Sequence, residues 1–194
     1  MKRAVPWVLG VLILTVVLVI GLSQAGSKPE DDAPAKPFDL EASLRELEGA
    51  PAPLAKLHDQ AGTLLDGGVP AFQKQLAALE GRPVVINKWA SWCHPCRAEF
   101  PIFQRVATEQ GKRVAFLGID GADSTQPAQR FLAQFPVPYP SYKDPAEKIA
   151  QTLKAVKNYP ITVFMDRSGQ TFIKQGGYRS ADELRADIAK YAAA

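Results

Sequence analysis

Both cysteines of the chain fall in one short stretch, Trp92-Cys93-His94-Pro95-Cys96. Two sulfurs at that spacing can close a small disulfide ring and reopen it without rebuilding the fold, which is dithiol–disulfide exchange chemistry. Residues 83–89 before the pair read as a strand, and Phe100, Phe103 and Val106 after it recur at helical spacing. Cys93 should therefore stand at a helix N-terminus, where unpaired N–H groups and the macrodipole favour a thiolate. Motifs of this kind lower a thiol pKa from about 8.5 into a range of roughly 3.5 to 7.5. Cys93 is the expected nucleophile, and Cys96, a turn deeper, the resolving thiol. A charged imidazole at His94 would favour the thiolate further, while Pro95 removes one N–H donor near the sulfurs.

Other uses of the pair fit less well. Bridges that stabilise a fold do so best by closing long loops, and this loop is among the shortest possible. A zinc site needs four ligands; besides the two cysteines the chain offers only His94 and His58, the latter in a helical segment well before the motif, and there is no second C-x-x-C, so no metal is expected. A net charge of +3 without a Lys/Arg cluster gives nucleic-acid binding no support. There is no glycine-rich phosphate loop and no internal repeat, and no cofactor is expected.

The elements that position the pair can be read outward from it. Lys2 and Arg3 precede an uncharged apolar run over residues 4–22. As a helix that run spans roughly 28 Å, enough to cross a bilayer with a cytoplasmic N-terminus. Residues 1–25 are expected to be an uncleaved single-pass anchor in the cell membrane, with the remainder on the extracytoplasmic side. The alternative is a signal peptide cut after Ser23-Gln24-Ala25, leaving a secreted protein. Residues 26–38, mixing proline, alanine and charges, read as an exposed linker. Leu40, Leu44 and Leu47, then Leu54, Leu57 and Ala61, suggest two short helices that extend the domain at its N-terminal side.

Beyond them helices and strands alternate. Val69, Phe72, Leu76 and Leu79 form a helical stripe; residues 114–119 read as a buried strand; Ala128, Phe131, Leu132 and Phe135 mark a helix ended by Pro136. Asp144-Pro145-Ala146-Glu147 reads as a cap with proline at the first helical position, opening a helix that buries Ile149 and Leu153. Residues 161–165 and 171–173 read as a hairpin, and Ser180-Ala181-Asp182-Glu183 as a capping box for the last helix. Parallel strands with crossover helices, closed by a hairpin and a final helix, make a three-layer α/β domain.

The chain resembles the thioredoxin superfamily, and within it the membrane-tethered TlpA/ResA group of extracytoplasmic thiol–disulfide oxidoreductases. The resemblance covers residues 60 to the C-terminus. It rests on the W-C-x-P-C site, on Pro101 five residues after Cys96, on Pro160 before a strand, on Gly176-Gly177 before the last helix, and on Glu99 in the active-site helix. It implies a thioredoxin-like fold, a central mixed sheet flanked by helices, over residues 39–194 including the helical extension. It also implies that Tyr159, Pro160 and Gly176 bind substrate, with a cis bond before Pro160, that Glu99 accepts a proton during resolution, and that Trp92 covers the site. Asn87 stands where thioredoxin has an aspartate; the TlpA/ResA group shares the asparagine, which cannot take and release a proton at neutral pH. Lys88 is unusual inside a central strand: its stem could carry the charge to solvent, or its charge could tune the thiolate.

The group's activity implies a reductase of protein disulfides, for example in cytochrome c maturation, recharged by a transmembrane electron-transfer partner; a monomer is expected. A disulfide-forming oxidase is the alternative, fed by His94, and a copper-binding chaperone of the same fold is weaker because such proteins space their cysteines differently and add a distal histidine.

Overall fold

A computed structural model describes residues 37–192. The expected anchor and nearly all of the expected linker lie outside these residues, and no helix among the described residues is long and apolar enough to cross a membrane. Six strands, β1 (Leu64–Leu65), β2 (Val84–Trp89), β3 (Ala115–Gly121), β4 (Ser141–Asp144), β5 (Ile161–Met165) and β6 (Thr171–Gln175), form one sheet in the order β1-β4-β3-β2-β5-β6. The helices are α1 (Leu40–Glu46), α2 (Ala52–His58), α3 (Gly68–Ala78), α4 (His94–Gln110), α5 (Thr125–Gln134), α6 (Lys148–Thr152) and α7 (Ala181–Tyr191).

Every residue of β2 and β3 is buried, as expected of strands covered on both faces. Strand alternation then sorts their side chains into two cores. Val85 and Trp89 join Phe100, Phe131 and Leu184, from α4, α5 and α7, on one face. Val84 and Ile86 join Leu54, Phe72 and Ile149, from α2, α3 and α6, on the other. Neighbours from β1 to β2 pair in parallel, whereas β5 and β6 add an antiparallel hairpin. The hairpin turn is held by Asp166, whose Oδ1 accepts from the amides of Ser168 (2.8 Å) and Gln170 (2.9 Å). The result is the thioredoxin-like three-layer arrangement that the sequence resemblance implies.

The two N-terminal helices belong to this core. Leu54 and Leu57 are fully enclosed, and the Ser43 and Thr108 hydroxyls bond α1 to α4 at 2.6 Å.

Three local readings change. Strands β1 and β4 are not evident in the sequence: β1 is two residues long, and Ser-Tyr-Lys-Asp in β4 is too polar to read as a strand. Parallel pairing with β3 makes β4, and Ser141 is buried there because its hydroxyl accepts from the Trp89 indole at 3.1 Å. The helix expected from Pro145 starts instead at Lys148, since Asp144 ends β4 and Glu147 adopts φ 52°. Asp144 still caps it from a distance, its Oδ2 accepting the Ala150 amide at 2.8 Å. In the α7 cap, Ser180 Oγ accepts from the Glu183 amide as expected, but Glu183 reaches back to the amide of Arg179, not that of Ser180.

Candidate active site

The strand–helix junction forms as the sequence suggests. Cys93 is the N-cap of α4 and its Sγ accepts the Cys96 amide at 3.1 Å. The two cysteines are joined as a disulfide, with Cα atoms 5.3 Å apart. Cys96 is fully enclosed, whereas Cys93 keeps 3% of its surface. Around Cys93 the surface is open: His94 and Pro95 are exposed, and Trp92 is 57% exposed. Trp92 is held at its edge, the indole N–H donating to the Ala122 carbonyl (3.1 Å) and the ring standing edge-on to Tyr159 at 4.8 Å. The residue before it is tied too, Ser91 N–H donating to Asp123 Oδ2 at 2.6 Å.

The peptide bond between Tyr159 and Pro160 is cis, and the Pro160 carbonyl accepts the Gly176 amide at 3.0 Å. Gly176 itself takes φ 84° with open space at its missing side chain. Gly177 is the residue that faces the site: a Cβ there would lie 3.4 Å from both Pro160 Cγ and Glu99 Oε2, and 3.7 Å from the Pro95 carbonyl.

Glu99, three residues after Cys96 on α4, is fully buried. Its Oε2 accepts the Tyr178 amide at 3.2 Å and its Oε1 has no partner. Burial pushes its carboxyl up to about 8, against the opposing pull of the Tyr178 amide, Asn87 and Lys174. Asn87 is buried beside it, yet neither polar atom of its amide closes a hydrogen bond. Thr162, which pairs with Asn87 across β2 and β5, and Tyr139 likewise carry buried hydroxyls without a partner. A polar cluster therefore lies inside the apolar core next to the cysteines. Sequence reasoning found Asn87 and Glu99 in it but not Tyr139, Thr162 or Tyr178, which sit on separate elements and read as ordinary core or loop residues.

Lys88 does not carry its charge to solvent, one of the two expectations for it. It leaves β2 on the face opposite Val85 and Trp89, the residues that share a core with the cysteines, and it is fully buried. Its ammonium lies 2.5 Å from Glu147 Oε1, so its charge is paired in place and shut off from solvent. The alternation of the strand sets the face it takes, because Lys88 has parity opposite to that of Val85 and Trp89. Asp120, at the end of β3, was not anticipated either. It is 2% exposed, and burial followed by the charge of Asp123 pushes its carboxyl up to about 8.

Comparison with known proteins agrees with this geometry. Residues 49–172 match the AhpC/TSA family. A thiol:disulfide interchange protein DsbE of Pseudomonas fluorescens biotype C is 35% identical over 94 residues, 48% of this chain and 51% of that protein. A thiol-disulfide oxidoreductase ResA of Oceanobacillus iheyensis is 29% identical over 99 residues, 50% of each chain. The chain thus spans about half the length of these curated relatives. Among solved structures, a secreted Mycobacterium tuberculosis disulfide oxidoreductase homologous to E. coli DsbE superposes with a TM-score of 0.54 at 28% identity, covering 59% of this chain and 85% of that one. With the family match extending from the helical extension through the active-site helix to the first residues of the last strand, the chain belongs to the AhpC/TSA family.

Proposed function

We propose that this protein is an extracytoplasmic thiol–disulfide oxidoreductase that reduces protein disulfides through Cys93 and Cys96. The observation that carries the reading is the placement of Cys93 as the N-cap of α4, paired with an enclosed Cys96 and flanked by exposed Trp92, His94 and Pro95. In the reduced protein the Cys93 thiolate attacks one sulfur of a substrate disulfide. The substrate S–S bond breaks, its far sulfur leaves and takes a proton, and a mixed disulfide with Cys93 remains. Cys96 then loses its proton and attacks Cys93 Sγ, the Cys93–Cys96 bond forms, and the second substrate sulfur leaves as a thiol. The substrate gains two electrons and two protons.

Glu99 is suited to take the Cys96 proton. It lies on the same helix face, three residues on, and with its carboxyl pushed up to about 8 it is mostly neutral at pH 7, so the ionised fraction, which grows as pH rises toward 8, is the form that accepts the proton. Asn87 cannot do so, which leaves Glu99 as the titrating group of the buried cluster. Trp92, Tyr159, Pro160 and Gly177 would receive the substrate chain. Substrates such as apocytochrome c and a transmembrane electron donor follow from the TlpA/ResA resemblance. An anchor at residues 1–25 would hold the domain outside the membrane, supported by Lys2, Arg3 and the apolar run after them.

The second reading, a disulfide-forming oxidase, draws on His94 at the first turn of α4. A group that stabilises the Cys93 thiolate stabilises the reduced form and raises the potential. Titration of the pair against glutathione and dithiothreitol separates the two. A reductant should lie near or below about −200 mV, on a scale where thioredoxin is near −270 mV and a strong oxidant near −120 mV. A value close to the oxidant end, with rapid oxidation of a reduced test protein, overturns the reductase reading.

A further inference from the structure

A buried lysine in the central strand of a sheet needs a reason. The rest of β2 around it is Val84, Val85, Ile86, Asn87 and Trp89, and an apolar side chain at position 88 would fill the same space without the cost of burying a charge. Lys88 has one ionic partner, Glu147, which stands on the turn between β4 and α6 with its backbone at φ 52° and its amide bonded to the Asp144 carbonyl at 2.9 Å. The same carboxylate oxygen that meets the ammonium at 2.5 Å also accepts the Tyr159 hydroxyl at 2.6 Å. The ammonium lies 3.9 Å from the Tyr159 ring centroid. Tyr159 is thus fixed at both its tip and its face.

Space for this arrangement is made by Gly121, where an added Cβ would stand 2.5 Å from the Tyr159 hydroxyl oxygen and 3.1 Å from Lys88 Cε. Held this way, the Tyr159 ring stands against Trp92, the residue adjoining Cys93, and precedes Pro160.

We propose that Glu147, anchored by buried Lys88, is a positioning residue that sets the Tyr159–Trp92 wall and so governs the affinity for protein disulfides, leaving the exchange chemistry itself alone. The inference rests on the oxidoreductase reading above and assigns it a recognition element. Its ligand class is the polypeptide flanking a substrate disulfide, and a small aromatic disulfide, which needs only Cys93, should be indifferent to it.

The test uses the full-length protein, reduced and freed of reductant, in single-turnover stopped-flow reactions with insulin as the protein disulfide and 5,5′-dithiobis(2-nitrobenzoate) as the small one. Glu147→Ala should raise the insulin concentration for half-maximal rate by about tenfold, with the limiting rate and the small-disulfide rate within about twofold of wild type, the signature of lost binding. Glu147→Gln, which keeps an oxygen for the Tyr159 hydroxyl, should recover much of the affinity. The double variant Lys88→Met with Glu147→Leu leaves no buried charge unpaired and should fold while showing the same loss for insulin as Glu147→Ala. Equal losses on both disulfides, or unchanged insulin affinity in the double variant, overturn the proposal. A wild-type protein that exchanges with neither disulfide instead sinks the oxidoreductase reading beneath it.

Discussion

Replacing Glu99 with glutamine tests whether a neutral carboxylic acid sits beneath the cysteines. The native side chain is fully enclosed, accepts one amide from Tyr178 and leaves Oε1 without a partner, so its ionised form is poorly supported. Its carboxyl titrates at about 8 in the folded disulfide form against a usual value of 4.5. Between those values the folded protein keeps a proton that the unfolded chain has released. Its contribution is therefore most favourable below the unfolded pKa and is lost as pH rises through the folded one. For a whole proton this is on the order of 4 kcal/mol between about pH 5 and about pH 8. Glu99→Gln has the same shape, still accepts the Tyr178 amide, and has no proton to lose. Urea unfolding of both disulfide-form proteins, followed by tryptophan fluorescence across that range, should show wild type losing stability relative to the variant as pH rises. Asp120 also titrates near 8 but is present in both proteins, so it cancels in the difference. A difference that stays flat to within about 1 kcal/mol from pH 5 to pH 8 would refute a buried neutral Glu99.

Cys96→Ser should accumulate mixed disulfides with substrate proteins through Cys93, and trapping by the reciprocal Cys93→Ser instead would reverse the assigned roles. Leu54→Ala should cost about 2–5 kcal/mol in chemical denaturation, because the N-terminal helices share the core of the sheet; a loss below about 1 kcal/mol would mark them as an accessory layer. Glu147→Ala should destabilise by about 3–5 kcal/mol by leaving the Lys88 ammonium unpaired, whereas Lys88→Met combined with Glu147→Leu should be near neutral. Equal costs for the two would show that lost packing, not the stranded charge, is responsible.

The sequence alone determined the redox pair, the strand before it, the helix after it, the hairpin at residues 161–175 and the alternating α/β order. These rest on local signals: cysteine spacing, apolar periodicity, caps and turn residues, each readable within one or two turns of chain. Tertiary structure alone decided the rest. Strand β4 forms because β3 offers it a parallel edge, and β1 because β4 then offers it one in turn, not because Leu64-Leu65 or Ser141 to Asp144 carries a strand pattern. Whether Glu99 met water or the core depended on Tyr178 arriving from the segment before α7. Lys88 could be recognised as odd from its neighbours, but its answer lay 59 positions away at Glu147. The close packing of Gly177 against Pro160 and Glu99 likewise joins segments far apart in the chain. Each of these is a contact between segments distant in the chain, and the free energy of burying or pairing a polar group depends on what that contact supplies, which no local pattern records.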